Sequence, residues 1–512
     1  MTDSLLVRGR WVIAGPGPAD PVLSDGAVLV AGDRIREVGD WRGLRERHPG
    51  ATVLGSDSVA VLPGLINAHH HSAGVTALQH GVPDRLLELW LLSLDSRRPT
   101  DIYLDTLLSA ARLLRSGVTT VVDVHGGGGT ADDYADAMRR ALAAYDEAGL
   151  RVAFAAGISD QSHLVWGPRG EEERFLASLP AELRAYAEQQ LPPPNAIDQD
   201  EYFAVMETFW KTYRAHPRID LWFAPPGPQW VSDGFMQRIA QQAETYDTGI
   251  QTHLTESLYE KLYGPKFLGR PTLLHLRNLG VLSPRFSIAH GVWLTEPEIE
   301  VLSESGAAIS HNPGSNLRLR AGIAPLNALL ASGSTVALGM DGTTLDDDED
   351  MFAEMRLALR LHRTPQMKTA APQPTDLFAM ATTGGAKLLR KEGLLGRLAP
   401  DHAADILLLD LERLTWPWVA PETDPRDLIL LRARASDVRT VLVGGEVMLQ
   451  DGRPTRFDAE AAGRELAAQL TVAPYPAEAA KRVEALLPYI EAHYAAWEIP
   501  ELLPYIRYNS RR

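Results

Sequence analysis

The sequence predicts an α/β protein: a (β/α)₈ TIM barrel with a small β-sandwich built from its N- and C-terminal segments. Three observations predict it. Eight short apolar runs alternate with longer helical segments from about residue 61 to residue 341. Strands that alternate with helices imply a parallel sheet, and eight of them over this length suit a closed barrel better than an open sheet. Short strands without intervening helices occupy both flanks, 4–62 and 394–455.

The elements follow in order. Residues 1–62 carry LLVRGRWVI, GAVLVAGDRIREVGD and ATVLGSDSVAVLPG, apolar runs broken at Gly and Asp. This is the first half of the sandwich. Residues 63–393 form the barrel. Its strands are expected at 61-VLPGLI, 118-VTTVVDV, 152-VAFAAGI, 219-IDLWFAP, 248-TGIQTHL, 286-FSIAH, 307-AAIS and 335-TVALGMD. Helices are expected at 101–115, 131–148, 233–245 and 296–305. The stretch 159–218, with a proline run from residue 192, has the look of one long loop, and loops of that length are usually lids or insertions. Residues 394–455 return to short strands and complete the sandwich. Residues 456–512 are rich in Ala, Glu and Leu and are expected to be helical. They would serve as a homo-oligomer contact or as a cap over the barrel.

Composition narrows the chemistry. The chain has 512 residues, no cysteine and a net charge of −16. Without cysteine there is no disulfide, and any metal must take nitrogen and oxygen ligands. Base-flipping deaminases with cysteine zinc ligands are excluded on the same ground. The negative charge argues against a nucleic-acid partner, whose phosphates call for basic patches. No apolar run approaches the length of a membrane span, and the N-terminus lacks a secretory signal pattern. A cytoplasmic location is expected.

Three consecutive histidines follow the first apolar run, in 66-INAHHHS-72. On an extended backbone alternate side chains share a face. His69 and His71 therefore converge while His70 turns away, a pincer for one metal ion. Alone, the tract could be surface decoration. It is accompanied by His253 in 251-QTHLTES, with Glu256 three residues on, by His290 in 287-SIAHG and by Asp341 in 338-LGMDG. Each stands where a strand gives way to a loop, the place where barrel enzymes carry their active sites. Further candidates for substrate contact are Gln79, His125, His163, Gln229, Trp230 and His311, each with packing or capping as its alternative. The run 125-HGGGGT lacks both a G-x-S-x-G elbow elsewhere in the chain and the G-K-[ST] ending of a phosphate loop. It is expected to give a flexible or close-approach turn near the barrel mouth. The acidic run 346-DDDED-350 is expected to be a solvated helix start.

Together PGLINAHHH, HLTES, the AHG after the sixth strand, SHNPGSN and GMDG resemble the amidohydrolase superfamily, nearest the branch of nucleobase deaminases and triazine hydrolases. The resemblance spans nearly the whole chain. It implies that His69, His71, His253 and Asp341 bind one divalent metal, zinc or iron. Binuclear relatives carry a bridging lysine after the fourth strand, and 219-IDLWFAPPGPQW has none. Glu256, His290 and Asp341 are implied as the acid–base groups. The implied reaction is hydrolytic deamination of a small nitrogen heterocycle (an aminopurine, aminopyrimidine, pterin or aminotriazine), with release of ammonia. Opening of a cyclic amide, or displacement of another leaving group, would use the same residues. Asn316 in the SHNPGSN turn is expected to be structural.

Overall fold

Two eight-stranded sheets organise the chain in the computed structural model, which describes residues 4–161, 163–192, 195–365, 367 and 372–500. The first sheet takes strands from both flanks: β1 (Ser4–Ile13), β2 (Val22–Ala31), β3 (Arg34–Asp40) and β4 (Thr52–Pro63). The barrel strands follow as β5 (Leu65–His70), β6 (Val118–Gly126), β7 (Arg151–Gly157), β8 (Ile219–Phe223), β9 (Ile250–Leu254), β10 (Phe286–His290), β11 (Ala308–His311) and β12 (Thr335–Leu338). The first sheet is completed by β13 (Ile406–Asp410), β14 (Val438–Val443), β15 (Glu446–Gln450) and β16 (Arg453–Pro454).

Its order is β16-β15-β14-β13-β4-β1-β2-β3. The seam between the two chain ends is the antiparallel pair β4–β13, with Val61 opposite Leu408. Val7, Ile35, Val61, Ile406 and Leu442 share one buried apolar cluster, so the sheet wraps around its own core. Neither flank could bury that face alone.

The second sheet runs β5 to β12 in sequence order, with parallel pairing throughout. The ring is drawn together between β12 and β5. There the Asp341 N–H donates to the His69 carbonyl at 2.9 Å, and the Met340 N–H to Asn67 Oδ1 at 2.9 Å. Gly339 makes that approach feasible, because a Cβ there would sit 2.9 Å from the Cβ of His69. The helices Ile102–Arg115, Ala131–Ala148, Asp233–Thr245 and Glu296–Ser305 pack outside, at the expected places.

Three expectations change. Val61–Pro63 finish β4, and the barrel strand is Leu65–His70, so His69 and His70 belong to the strand rather than follow it. The supposed loop 159–218 holds three helices, Arg169–Ser178, Ala181–Gln189 and Gln199–Tyr213. Its prolines mark helix starts: Pro168 and Pro180 stand at N-cap positions, where a missing N–H costs nothing. Pro193 and Pro194 lie outside the described residues. The acidic run is not solvated throughout. Asp350 caps the helix Met351–Leu361, but Glu349 is buried against Arg112 at 3.2 Å, and Asp347 pairs with Arg318 at 2.8 Å. Those partners are distant in sequence, so the run alone could not reveal them. The C-terminal part forms the helices Ala459–Val472 and Ala477–Ala495, and the latter lies over the barrel mouth. No described helix is long and apolar enough to cross a membrane.

Candidate metal centre and active site

His69, His71, His253, His290 and Asp341 converge at the C-terminal ends of β5, β9, β10 and β12. His71 Nε2 lies 3.3 Å from His253 Nε2 and 3.3 Å from Asp341 Oδ1, and His69 Nε2 lies 3.5 Å from Asp341 Oδ1. These spacings match the edges of about 3.4 Å in a tetrahedron whose nitrogen ligands sit about 2.0–2.1 Å from a zinc ion. His70 points elsewhere: its Nδ1 accepts the Ser72 N–H at 3.0 Å, and its Nε2 faces Glu349 at 3.5 Å.

Each converging imidazole has its other nitrogen occupied. His71 Nδ1 meets the Val124 carbonyl at 2.9 Å, and His253 Nδ1 meets the Pro226 carbonyl at 2.7 Å. A carbonyl only accepts, so both rings carry their proton on Nδ1. His69 Nδ1 meets Gln251 Oε1 at 2.8 Å, and the Gln251 amide is fixed in that sense by donating to the Ala68 carbonyl at 2.9 Å. His290 Nδ1 meets Asn316 Oδ1 at 2.8 Å. The four Nε2 lone pairs therefore face one another and a carboxylate. His69 Nε2 and His290 Nε2 are buried without a hydrogen-bond partner. Lone pairs left in that state are costly unless a cation sits among them. The strain shows in the pKa values. Burial opposes charge on His71, but Asp341 outweighs it and raises the value. His253 is pushed down to about 3, by burial first and then by His71 and His290. The donor set thus fits a divalent ion, with zinc favoured by three imidazoles and a carboxylate.

Strain is also stored in the backbone. His290 and Asp341 have positive φ angles of 74° and 58°, as do Ser72 and Thr255, next to His71 and Glu256, at 50° and 48°. Non-glycine residues in this region cost of order 1–3 kcal/mol each and gather at functional sites.

Glu256 faces the centre with Oε2 3.4 Å from His290 Nε2, and its Oε1 is buried without a partner. Burial raises its pKa well above the ordinary carboxylate value, and Glu260, Asp341 and Glu88 add to the rise. Both effects favour the neutral carboxyl over the carboxylate at Glu256. Glu260 accepts the Glu256 N–H at 2.6 Å and the Gln229 amide at 2.7 Å, while Ser257 Oγ donates to Glu88.

A cavity of about 940 Å³ opens from this centre and is lined by His71, His253, Glu256 and Asp341 at its inner end. Of the expected substrate contacts, His125 and Trp230 line it. Gln79, His163, Gln229 and His311 are not among its described lining residues. Gln79 is exposed and closes a turn by accepting the Thr76 N–H at 3.0 Å. His163 is exposed, its N–H bound to Glu172 at 2.7 Å. Gln229 is buried on Glu260, and His311 is buried with its Nε2 3.0 Å from that of His362. A place at or beyond a strand end singled out all four, but the turn of the chain decides whether a side chain enters the cavity. Asn316, expected to be structural, holds its turn through its backbone and the His290 ring through its side chain. Sequence reasoning missed Gln251, Glu260 and Ser315, whose Oγ donates to Asp341. Only the spacing 256-ESLYE-260, one helical turn, hinted at a second carboxyl there.

The parallel barrel and the site at its C-terminal mouth define a hydrolase with a divalent-metal centre. Residues 60–448 match the amidohydrolase family, and residues 26–51 match a bacterial imidazolonepropionase-like composite domain. A 5-methylthioadenosine/S-adenosylhomocysteine deaminase from Nitratidesulfovibrio vulgaris is 33% identical over 443 residues, 85% of this chain and 90% of that protein. A zinc-bound adenosine deaminase from Xanthomonas campestris superposes with a TM-score of 0.76 at 26% identity, covering 92% of this chain and 99% of the other. A zinc complex of the atrazine chlorohydrolase from Arthrobacter aurescens shares the fold with a TM-score of 0.76 at 24% identity, covering 91% and 100%. The chain belongs to the amidohydrolase family, in its deaminase branch, and hydrolyses non-peptide C–N bonds.

Proposed function

We propose that this chain is a zinc-dependent deaminase of an adenosine-type substrate, converting a 6-aminopurine and water into the 6-oxopurine and ammonia. The observation that carries the reading is the set of inward lone pairs beside the buried Glu256 carboxyl, whose pKa burial raises. The names of the relatives support the adenosine-type ring. His69, His71, His253 and Asp341 hold the metal. A divalent ion bound there supplies Lewis acidity and brings the ionisation of water near neutral pH.

The chain's own groups do the rest. Glu256 donates its proton to ring nitrogen N1, which makes C6 electrophilic. Water adds to C6 and gives a proton to the acceptor pair His290 and Asp341, whose Nε2 and Oδ2 lie 3.7 Å apart. Asn316 keeps the His290 proton on Nδ1, so Nε2 stays free to accept. The amino group leaves with that proton returned to it, as ammonia, and the remaining hydroxyl proton on C6 passes to Glu256, which leaves the 6-oxopurine and restores the acid. General acid–base help of this kind contributes roughly 10²–10⁴ in rate.

The test is a panel of adenosine, 5′-deoxyadenosine, 5′-methylthioadenosine and S-adenosylhomocysteine, with ammonia and product mass as readouts. Exchange of NH for O raises the mass by about one unit, whereas hydrolytic ring opening adds a whole water. Absence of ammonia from every member, with zinc content verified, would overturn the reading.

A further inference from the structure

The cavity is not walled by the barrel alone. At about 940 Å³ it lies near the top of the range for small-molecule sites, so it has room beyond a purine. Its outer apolar wall is Leu87, Trp90, Leu91, Trp230 and Leu319. All five belong to, or pack against, an apolar cluster separate from the barrel core. The far side of that cluster is the C-terminal helix Ala477–Ala495, which contributes Val483, Leu486, Leu487, Ile490 and Tyr494.

Two chains of contact run from this segment to the cavity. Tyr494 is buried, and its hydroxyl accepts the Trp166 N–H at 2.9 Å. Its ring lies 5.4 Å from that of Trp166, which meets Trp230 edge-on at 5.8 Å. Trp230 faces the cavity, and its carbonyl accepts the N–H groups of Asp160 and Gln161. The second chain starts at the link between the last two helices. The Ala473 carbonyl accepts Arg98 Nε at 3.3 Å, and the Tyr475 ring lies 5.1 Å from the Arg98 guanidinium. Arg98 also lines the cavity. The family match ends at residue 448, so both chains begin in a part of the molecule that the match does not cover.

We propose that the C-terminal helical segment is a specificity-determining element: through Tyr494 and Tyr475 it positions the outer wall of the substrate cavity and sets substrate affinity, leaving the metal centre untouched. The inference rests on the proposed reaction only for its kinetic readout. Tyr494 and Tyr475 are positioning residues, because neither lines the cavity.

The experiment uses the full chain with Tyr494→Ala, Tyr494→Phe and, as a variant at a half-exposed ring outside the buried core, Tyr475→Ala. In Tyr494→Ala, amide exchange should quicken in residues 87–98 and 163–167 and stay slow in 250–254. Zinc content should match wild type. KM for the substrate found in the panel should rise roughly tenfold at nearly constant kcat, as expected when binding common to ground and transition state is lost. Tyr494→Phe should give a smaller rise, and Tyr475→Ala a rise of roughly two- to threefold. Unchanged exchange and unchanged KM in folded Tyr494→Ala would overturn the proposal, as would a fall in kcat with KM and exchange unaltered. If Tyr494→Ala does not fold, Tyr475→Ala decides by the same KM criterion. If wild type deaminates nothing in the panel, the proposed function fails, and the exchange data still decide whether the segment holds the wall.

Discussion

The inner and outer ends of one cavity are built by different physics. The inner end stands on parallel strands, where backbone pairing and a packed core hold each histidine. Its donors come from strand ends that lie far apart in sequence but converge across the mouth of the ring. The outer end stands on helices that follow the first strand, helices inserted before the fourth, and one helix from the C-terminal region. Rigid strands suit atoms that must meet within tenths of an ångström. Helices packed by apolar contact suit a wall that must match a shape. Changes at the inner end should therefore alter chemistry, and changes at the outer end affinity.

The largest expected break is Glu256→Gln. It should keep zinc and lose turnover by roughly 10²–10⁴-fold, because the amide cannot donate as the acid does. Steady-state kinetics alongside elemental analysis checks this, and a fully active variant would remove Glu256 from the mechanism. Next, His69→Ala and His71→Ala should each lose most of the metal, whereas His70→Ala should keep it near normal. Equal loss at all three positions would end the argument from alternating side chains. Stripping the metal with a chelator should also lower the melting temperature, since a ligand present at 100 times its Kd stabilises by about 2.7 kcal/mol.

Asn316→Ala should reduce kcat by roughly 10–100-fold, with metal retained, as for other partners that orient a working histidine. A normal kcat would show that His290 needs no such hold. The last effect bears on stability alone and concerns Glu354, buried on the backbone N–H groups of Gly314 and Leu345, with its pKa pushed up by burial to about 8. A carboxyl whose folded-state pKa is raised favours folding fully below the unfolded value of about 4.5, and that contribution is lost as pH rises toward 8. Wild type should lose up to about 1.4 kcal/mol per pH unit across that window relative to Glu354→Gln. Melting curves of the two proteins from pH 5 to 9 test it. A constant difference would mean that Glu354 is ionised throughout.

How far the two ends were legible follows from the same contrast. The pincer of His69 and His71 needs only the two-residue period of a strand, and the polar ends of β9, β10 and β12 stand out against apolar runs. The barrel was legible for the same reason. The wall was not. Gln79, His163, Gln229 and His311 share with His125 and Trp230 a place close to a strand end, yet only the last two enter the cavity. Loop direction after a strand depends on what the loop packs against, and those partners are remote: Glu172 for His163, Glu260 for Gln229, His362 for His311. The helices of 159–218 were hidden by prolines, which mark a helix start as readily as a break.

By itself, the sequence determined the alternation of strands and helices, the nitrogen and oxygen ligand set, and which of the three adjacent histidines turns away. These follow from local periodicity and composition, which the chain carries within a few residues. Only the tertiary structure decided that every inward histidine has its outer nitrogen on a hydrogen-bond acceptor, that Glu256 is buried beside the metal ligands, and that a C-terminal helix backs the cavity wall. Those properties belong to neighbours brought together across the chain, and burial is a property of the packed whole.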